Sequence, residues 1–188
     1  HGAAAGRLID WLGDRGELSA LAGVGHRIVH GGVSLLDHQP ITPGVLAALR
    51  QAQPLDLAHL PREIALIDAF TRRLPNVPQV ACFDTAFFRD LPIVAQRLPI
   101  PRRLADAGIR RFGFHGLSYT YLLSALQTIA AKEAAGRVIF AHLGSGASLA
   151  AVHHGRPVDT TMAFTPLAGL VMATRPGDLD PGLVCHIM

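Results

Sequence analysis

The residues in this 188-residue chain best suited to chemistry are scattered basic and acidic groups set among glycines, and the basic ones suit the handling of an anion. In GHRIVHGG, Arg27 sits inside an apolar run, where a guanidinium must find a partner or line a cavity because burying it alone is costly. Its planar fork suits a carboxylate or a phosphate, and a structural ion pair would satisfy it equally. Asp84, in CFDTAF, follows an apolar strand, where α/β folds carry working residues; it either meets a metal or substrate, or caps a helix. RRFGFHGLS places His115 between glycines and ahead of a helix, as a donor to an anion or as a solvated loop residue. In HLGSGAS, Gly144 and Gly146 permit a sharp turn that presents successive amides, with His142 before it and Ser145 at its tip. A plain hairpin uses the same pattern. TRPGDLDPG sets Arg175 beside Asp178 and Asp180, either as a site or as a solvated loop whose last acid caps a helix.

These groups need a scaffold, and the patterning predicts one. Ala5–Leu12 reads as a short helix, Val24–Val29 as a strand, and Thr42–Pro43 as the start of a helix ending near Gln51. Pro61 opens a second helix, stopped by Pro75 and Pro78, and Gln79–Phe83 is a short strand. After a proline- and arginine-rich connection, Ser118 is expected to cap a helix closed by Gly136. Strands Val138–Leu143 and Ser148–His153 form a hairpin, Val158–Met162 is a third strand, and Asp180–Pro181 begins another helix. Strand–helix alternation early and a meander later indicate mixed α/β, with a domain change near residues 85–90.

Composition narrows the functions. Hydrophobic residues make up 49% and charged residues 16%, too apolar for disorder, while no uninterrupted run is long enough to span a bilayer. The net charge of +3 comes with no nucleic-acid motif, so neither nucleic acid nor membrane is an expected partner. Two cysteines make no CxxC and no disulfide framework, which suits a reducing, cytoplasmic location. The only lysine, Lys132, lies in AAKEAA, so there is no P-loop; HExxH, GxSxG and GxGxxG are absent too. A histidine-rich metal hydrolase is disfavoured because His153 and His154, adjacent on a strand, should face opposite sides. The chain starts at His1 and ends at Met188 where a helix is beginning, so a piece of a longer protein is expected.

Taken together, HRIVHGG, FDTAF, RRFGFHGLS, HLGSGAS and DTTMAFTPLAGLVMATRPGDLDP resemble the acetokinase (acetate kinase) family of short-chain carboxylate kinases, from about Val24 to Pro181. The resemblance implies an incomplete α/β fold of ribonuclease-H-like domains, from the superfamily of acetate and sugar kinases, actin and heat-shock chaperone ATPases. Residues 1–86 would be the later part of the first kinase domain and residues 87–188 the opening of the second. It implies transfer of the γ-phosphoryl of ATP to acetate with Mg2+ or Mn2+, by a homodimer. Propionate or butyrate kinase, or a non-catalytic nucleotide-binding module, are the alternatives. By motif, Arg27 and Arg175 would flank the carboxylate and the transferring phosphoryl, and His115 would stabilise the transition state. Asp84 would be the essential acid near the metal, with a second metal ligand lying beyond Met188. His142 and the turn Gly144, Ser145 and Gly146 would meet nucleotide phosphate. His59 falls in the substrate loop, and Val29, Phe114 and Pro166 match the apolar lining of the methyl pocket.

The chain departs from the family pattern in places. Ser145 replaces the usual asparagine of the turn, Tyr119 stands where histidine is common, and Ala58 precedes His59 where leucine is usual. The smaller Ala58 predicts better tolerance of propionate, and the missing flanking segments predict that these 188 residues alone are inactive.

Overall fold

The computed structural model describes residues 2–188, which divide into two compact units, one ending at Phe83 and one spanning Asp84–Met188. The first unit begins with helix α1 (Gly2–Asp14), followed by strand β1 (Val24–Ile28) and the two-residue strand β2 (Gln39–Pro40). Helices α2 (Pro43–Ala52) and α3 (Leu60–Arg73) come next, then strand β3 (Gln79–Phe83). Helix α2 starts as expected: Thr42 Oγ1 accepts from Val45 N at 3.2 Å, while Pro43 occupies the first turn, where its missing N–H costs nothing. β1 and β3 are parallel, and β2 joins the other side of β3 in antiparallel register. With only two residues, β2 has no periodicity to read, and the sequence analysis does not include it. Helices α1 and α2 pack on α3, which packs on β1, around the buried Ile28, Leu49, Leu60, Ile67 and Phe83.

The second unit opens with a 3-10 turn (Ala86–Phe88) and the short helices α4 (Ile93–Gln96) and α5 (Arg102–Asp106). Helix α6 (Gly116–Ile129) and the one-turn α7 (Ala131–Ala134) precede the antiparallel meander β4 (Arg137–Leu143), β5 (Ala147–His153) and β6 (Arg156–Thr160), and α8 (Pro181–Ile187) ends it. Register decides which face of the hairpin does what. Val138 opposes Val152, Phe140 opposes Ala150 and His142 opposes Ser148, so all six side chains share the face that α6 covers. Tyr119 lies at the centre of that core with no exposed surface, packed among Phe88, Phe140, Ala150 and Val152.

Four expectations are corrected. Ser118 does not cap α6: the helix begins two residues earlier, with His115 at the N-cap in left-handed conformation (φ 62°). That helix does not run to Gly136, because Ala130 (φ −148°, ψ 68°) separates α6 from α7. The third strand ends at Thr160 rather than Met162, since a turn at His154 and Gly155 (φ 51° and 72°) starts it earlier and a bulge at Ala151/Val152 shifts its pairing. The same left-handed turn swings His154 back, so the His153 and His154 rings lie 4.0 Å apart instead of on opposite sides.

His26 on β1 is buried, with Nε2 2.7 Å from Gln79 Oε1 and its ring edge-on to Phe70. Burial holds its pKa below the ordinary value of 6.5 and outweighs the hydrogen bond to Gln79. The unfolded chain therefore binds this proton more readily, and the stabilisation is complete above about pH 6.5 and lost as pH falls below it. The melting temperature should drop on acidification through that range, and His26→Leu should flatten the drop; an unchanged pH response in the variant would exclude His26 as a contributor.

Candidate functional site

In the first unit, Arg27 is exposed and points away from its buried neighbours, since side chains alternate along β1 and it is His26 and Ile28 that point inward. It lines a cleft of about 420 Å3 with His26, Glu63 and Phe70. Val29 is buried, and both Glu63 carboxylate oxygens accept from its backbone N–H at 3.2 Å. His59 borders a second cleft of about 270 Å3 with Ala58, Arg62 and Glu63. Its orientation is set by buried Asp56, whose Oδ1 accepts from the backbone N–H groups of Ala58 and His59 and whose Oδ2 lies 2.9 Å from His59 Nδ1. Asp56 was not singled out in the sequence, where it is one acid in an undistinguished loop.

In the second unit, Asp84 is almost wholly buried, and Thr85, not Asp84, holds the N-cap position of the following 3-10 turn. Its backbone carbonyl accepts from Gly116 N at 3.0 Å. A Cβ on Gly116 would sit 2.0 Å from that carbonyl oxygen, so only glycine fits. This close approach anchors the residue after His115, holding the imidazole at the mouth of α6. Phe114 is buried alongside. Arg111, which the sequence reading passed over, clamps the same segment: Nη1 donates to the Thr160 and Met162 carbonyls at 2.9 Å, and Nε to Ala95 O at 3.0 Å.

The turn Gly144–Gly146 joins β4 to β5 next to this segment. The His115 and His142 rings stack 4.0 Å apart at 17°, and His142 Nδ1 lies 3.1 Å from Ser118 Oγ. Ser118, misread as a cap, thus orients His142. A Cβ placed on Gly146 would meet His115 Nε2 at 3.3 Å and Arg175 Nη1 at 3.4 Å. A ring nitrogen and a guanidinium nitrogen therefore overlook the same small volume above the turn. Arg175 is held there by donating from Nη1 to Pro166 O at 3.0 Å, while Ala173 N donates to Ser145 O at 3.2 Å. Pro166 is buried and Ser145 is exposed at the tip. Asp178 is not merely solvated, since its Oδ1 accepts from Gly169 N at 2.8 Å; Asp180 does cap α8, accepting from Gly182 N at 2.8 Å. His115, His142, Gly146 and Arg175, separated in the chain, are thus brought together. Among the described residues, no three His, Cys, Asp or Glu side chains cluster closely enough to hold a metal ion by themselves.

The Acetokinase family model matches residues 3–188. The chain belongs to that family. It is 44% identical to an acetate kinase of Rhodopseudomonas palustris over 189 residues, covering 100% of this chain and 48% of that protein. It is 46% identical to an acetate kinase of Methylocella silvestris over 188 residues, covering 100% of this chain and 46% of that protein. Among solved structures it superposes on a propionate kinase from Francisella tularensis with a TM-score of 0.94 at 36% identity, over 100% of this chain and 49% of that one. On the acetate kinase from Entamoeba histolytica the TM-score is 0.90 at 34% identity, over 100% and 48%. The chain spans about half the length of the curated relatives it matches, and it shares the mixed α/β fold of the acetate and propionate kinases over that half.

Gly146 does not need a left-handed backbone, so Gly146→Ala should still fold, with His115 and Arg175 giving by a few tenths of an ångström as its methyl enters the volume between them. In the full-length protein any turnover that uses this volume should fall, by up to the roughly 10²–10³ that losing one preorganised donor outright costs. Wild-type kinetics would mean that this volume is not used.

Proposed function

We propose that the full-length protein transfers the γ-phosphoryl of ATP to the carboxylate of acetate, reversibly. The observation that carries this reading is the convergence of His115 Nε2 and Arg175 Nη1 over the Gly146 turn, in a chain of the Acetokinase family. Acetate is already ionised at neutral pH and needs no general base. Its oxygen forms a bond to the γ-phosphorus as the bond to the β–γ bridging oxygen breaks, and that electron pair leaves with ADP. In-line transfer of this kind requires positioning and charge stabilisation more than covalent chemistry.

The roles are assigned by sequence motif. Arg175 and His115 donate to the equatorial oxygens of the transferring group, where charge builds up. His142 and the amides of Gly144, Ser145 and Gly146 hold nucleotide phosphate. Arg27 takes the acyl carboxylate, with His59, Val29, Phe114 and Pro166 on the acyl side. A divalent cation, Mg2+ or Mn2+, would supply charge neutralisation. A single carboxylate such as Asp84 suits a hard cation that keeps several waters and phosphate ligands, and a second acidic ligand would come from outside these residues. Residues 1–86 are read as the later part of the first kinase domain and residues 87–188 as the opening of the second, in a homodimer. A cytoplasmic location fits the ATP supply and the two free cysteines, Cys82 and Cys185; no helix among the described residues is long and apolar enough to cross a membrane.

Propionate is a second acceptor, favoured by the superposition on a protein described as a propionate kinase and by the exposed, small Ala58 beside His59. One methylene in an apolar pocket is worth about 10–200-fold, so the preference should be graded.

Full-length protein given ATP, Mg2+ and acetate should form acetyl phosphate, trapped as its hydroxamate, and propionyl phosphate with a kcat/KM no more than about 200-fold lower. Absence of both products would reject the reading. Arg175→Ala should lower kcat by about 10²–10³ with the fold intact. The 188 residues by themselves should yield no acyl phosphate.

A further inference from the structure

Tyr119 and Ser148 have no role in the reading above, yet they are joined directly to His115. Ser148 has no exposed surface, and its Oγ lies 2.8 Å from His115 Nδ1 and 2.5 Å from the Tyr119 hydroxyl. Hydrogen-bond directions can be worked out along this chain by counting protons. Tyr119 has no exposed surface and Ser148 Oγ is the one hydrogen-bond partner of its hydroxyl among the described residues, so the phenol proton must go to Ser148 Oγ. The serine proton is then left for Nδ1 of His115. In the reverse order Nδ1–H would donate to Ser148 and Ser148 to Tyr119, leaving the tyrosine proton buried without an acceptor. A buried donor without an acceptor gives up its hydration and gains nothing in return.

We propose that Tyr119 and Ser148 are positioning residues that hold neutral His115 as the tautomer protonated on Nε2. That N–H then faces the volume above Gly146, beside Arg175 Nη1. Burial raises the Tyr119 pKa and keeps the phenol protonated, as a donor must be. The groups packed around the imidazole include the stacked His142 ring, the Arg175 guanidinium and, one residue on, the Asp84 carbonyl that receives Gly116 N. The hydroxyl pair approaches on the Nδ1 side. An imidazole with Nδ1–H and a bare Nε2 would turn a lone pair toward the volume where an anion is expected. The consequence for catalysis rests on the proposed function; the tautomer does not.

The test is long-range 1H–15N correlation spectroscopy on full-length protein labelled with 15N-histidine, with the His115 signals assigned by their loss in His115→Gln. The expected result is a protonated Nε2 and an unprotonated Nδ1, with Nδ1 shifting toward protonation in Tyr119→Phe, which frees Ser148 Oγ to accept. In Ser148→Ala both ring nitrogens should move toward averaged values. Protonated Nδ1 in the parent, or ring shifts identical in parent and both variants, would overturn the proposal whatever the activity. Loss of kcat by about tenfold in Tyr119→Phe, with the KM values for ATP and acetate unchanged, is the expected kinetic companion. Correct tautomer shifts in a protein that makes no acyl phosphate would support the hydrogen-bond chain and reject the kinase reading alone.

Discussion

The second unit is organised around one short approach: the backbone of Gly116 pressed against the carbonyl of Asp84, with no room for a side chain between them. Because Gly116 opens a helix, this contact ties the first residue of the second unit to the mouth of α6. The chain reaches Gly116 through a non-glycine residue in left-handed conformation, His115. Such a residue costs of order 1–3 kcal/mol and persists only where its surroundings impose it. Here they include the Asp84 carbonyl, the Arg111 clamp on three main-chain oxygens and the hydroxyl of Ser148. The strain is local to a residue that faces the Gly146 turn, which is where strained backbone tends to serve function.

The aromatic core and the polar site are the same piece of structure. Tyr119 fills the space between Phe88 and Phe140 with its ring and touches Ser148 with its hydroxyl, so packing of α6 on the sheet fixes the hydrogen bond to His115. Register does the same for the hairpin: Ser148 faces His142 across the ladder, and a one-residue slip would turn both away from α6. Tyrosine at position 119 is therefore more than a departure from a family pattern. It keeps a polar tip on a side chain that is otherwise core.

Much of the scaffold is legible in the chain. Thr42–Pro43 and Asp180–Pro181 announce helices because a capping oxygen followed by proline satisfies the first turn locally. The failures have local causes as well. Ser118 precedes an apolar helical pattern and looks like a cap, but the left-handed turn at His115 starts the helix sooner and frees the hydroxyl for His142. The third strand is displaced by a turn whose left-handed residues include His154, which has no glycine-like signal. Arg27 is a case that alternation along β1 does settle: it points away from the buried Ile28 and lines a cleft.

Residue types and their order determined the family, the inventory of donors and the positions where glycine is required, because those depend on chemistry carried by each residue and its neighbours. Which nitrogen of His115 faces Arg175, which serine orients which histidine, and which acid pins His59 depended on contacts between residues far apart in the chain. Hydrogen-bond direction is set by the full set of partners around a buried group, and only the packed structure assembles that set.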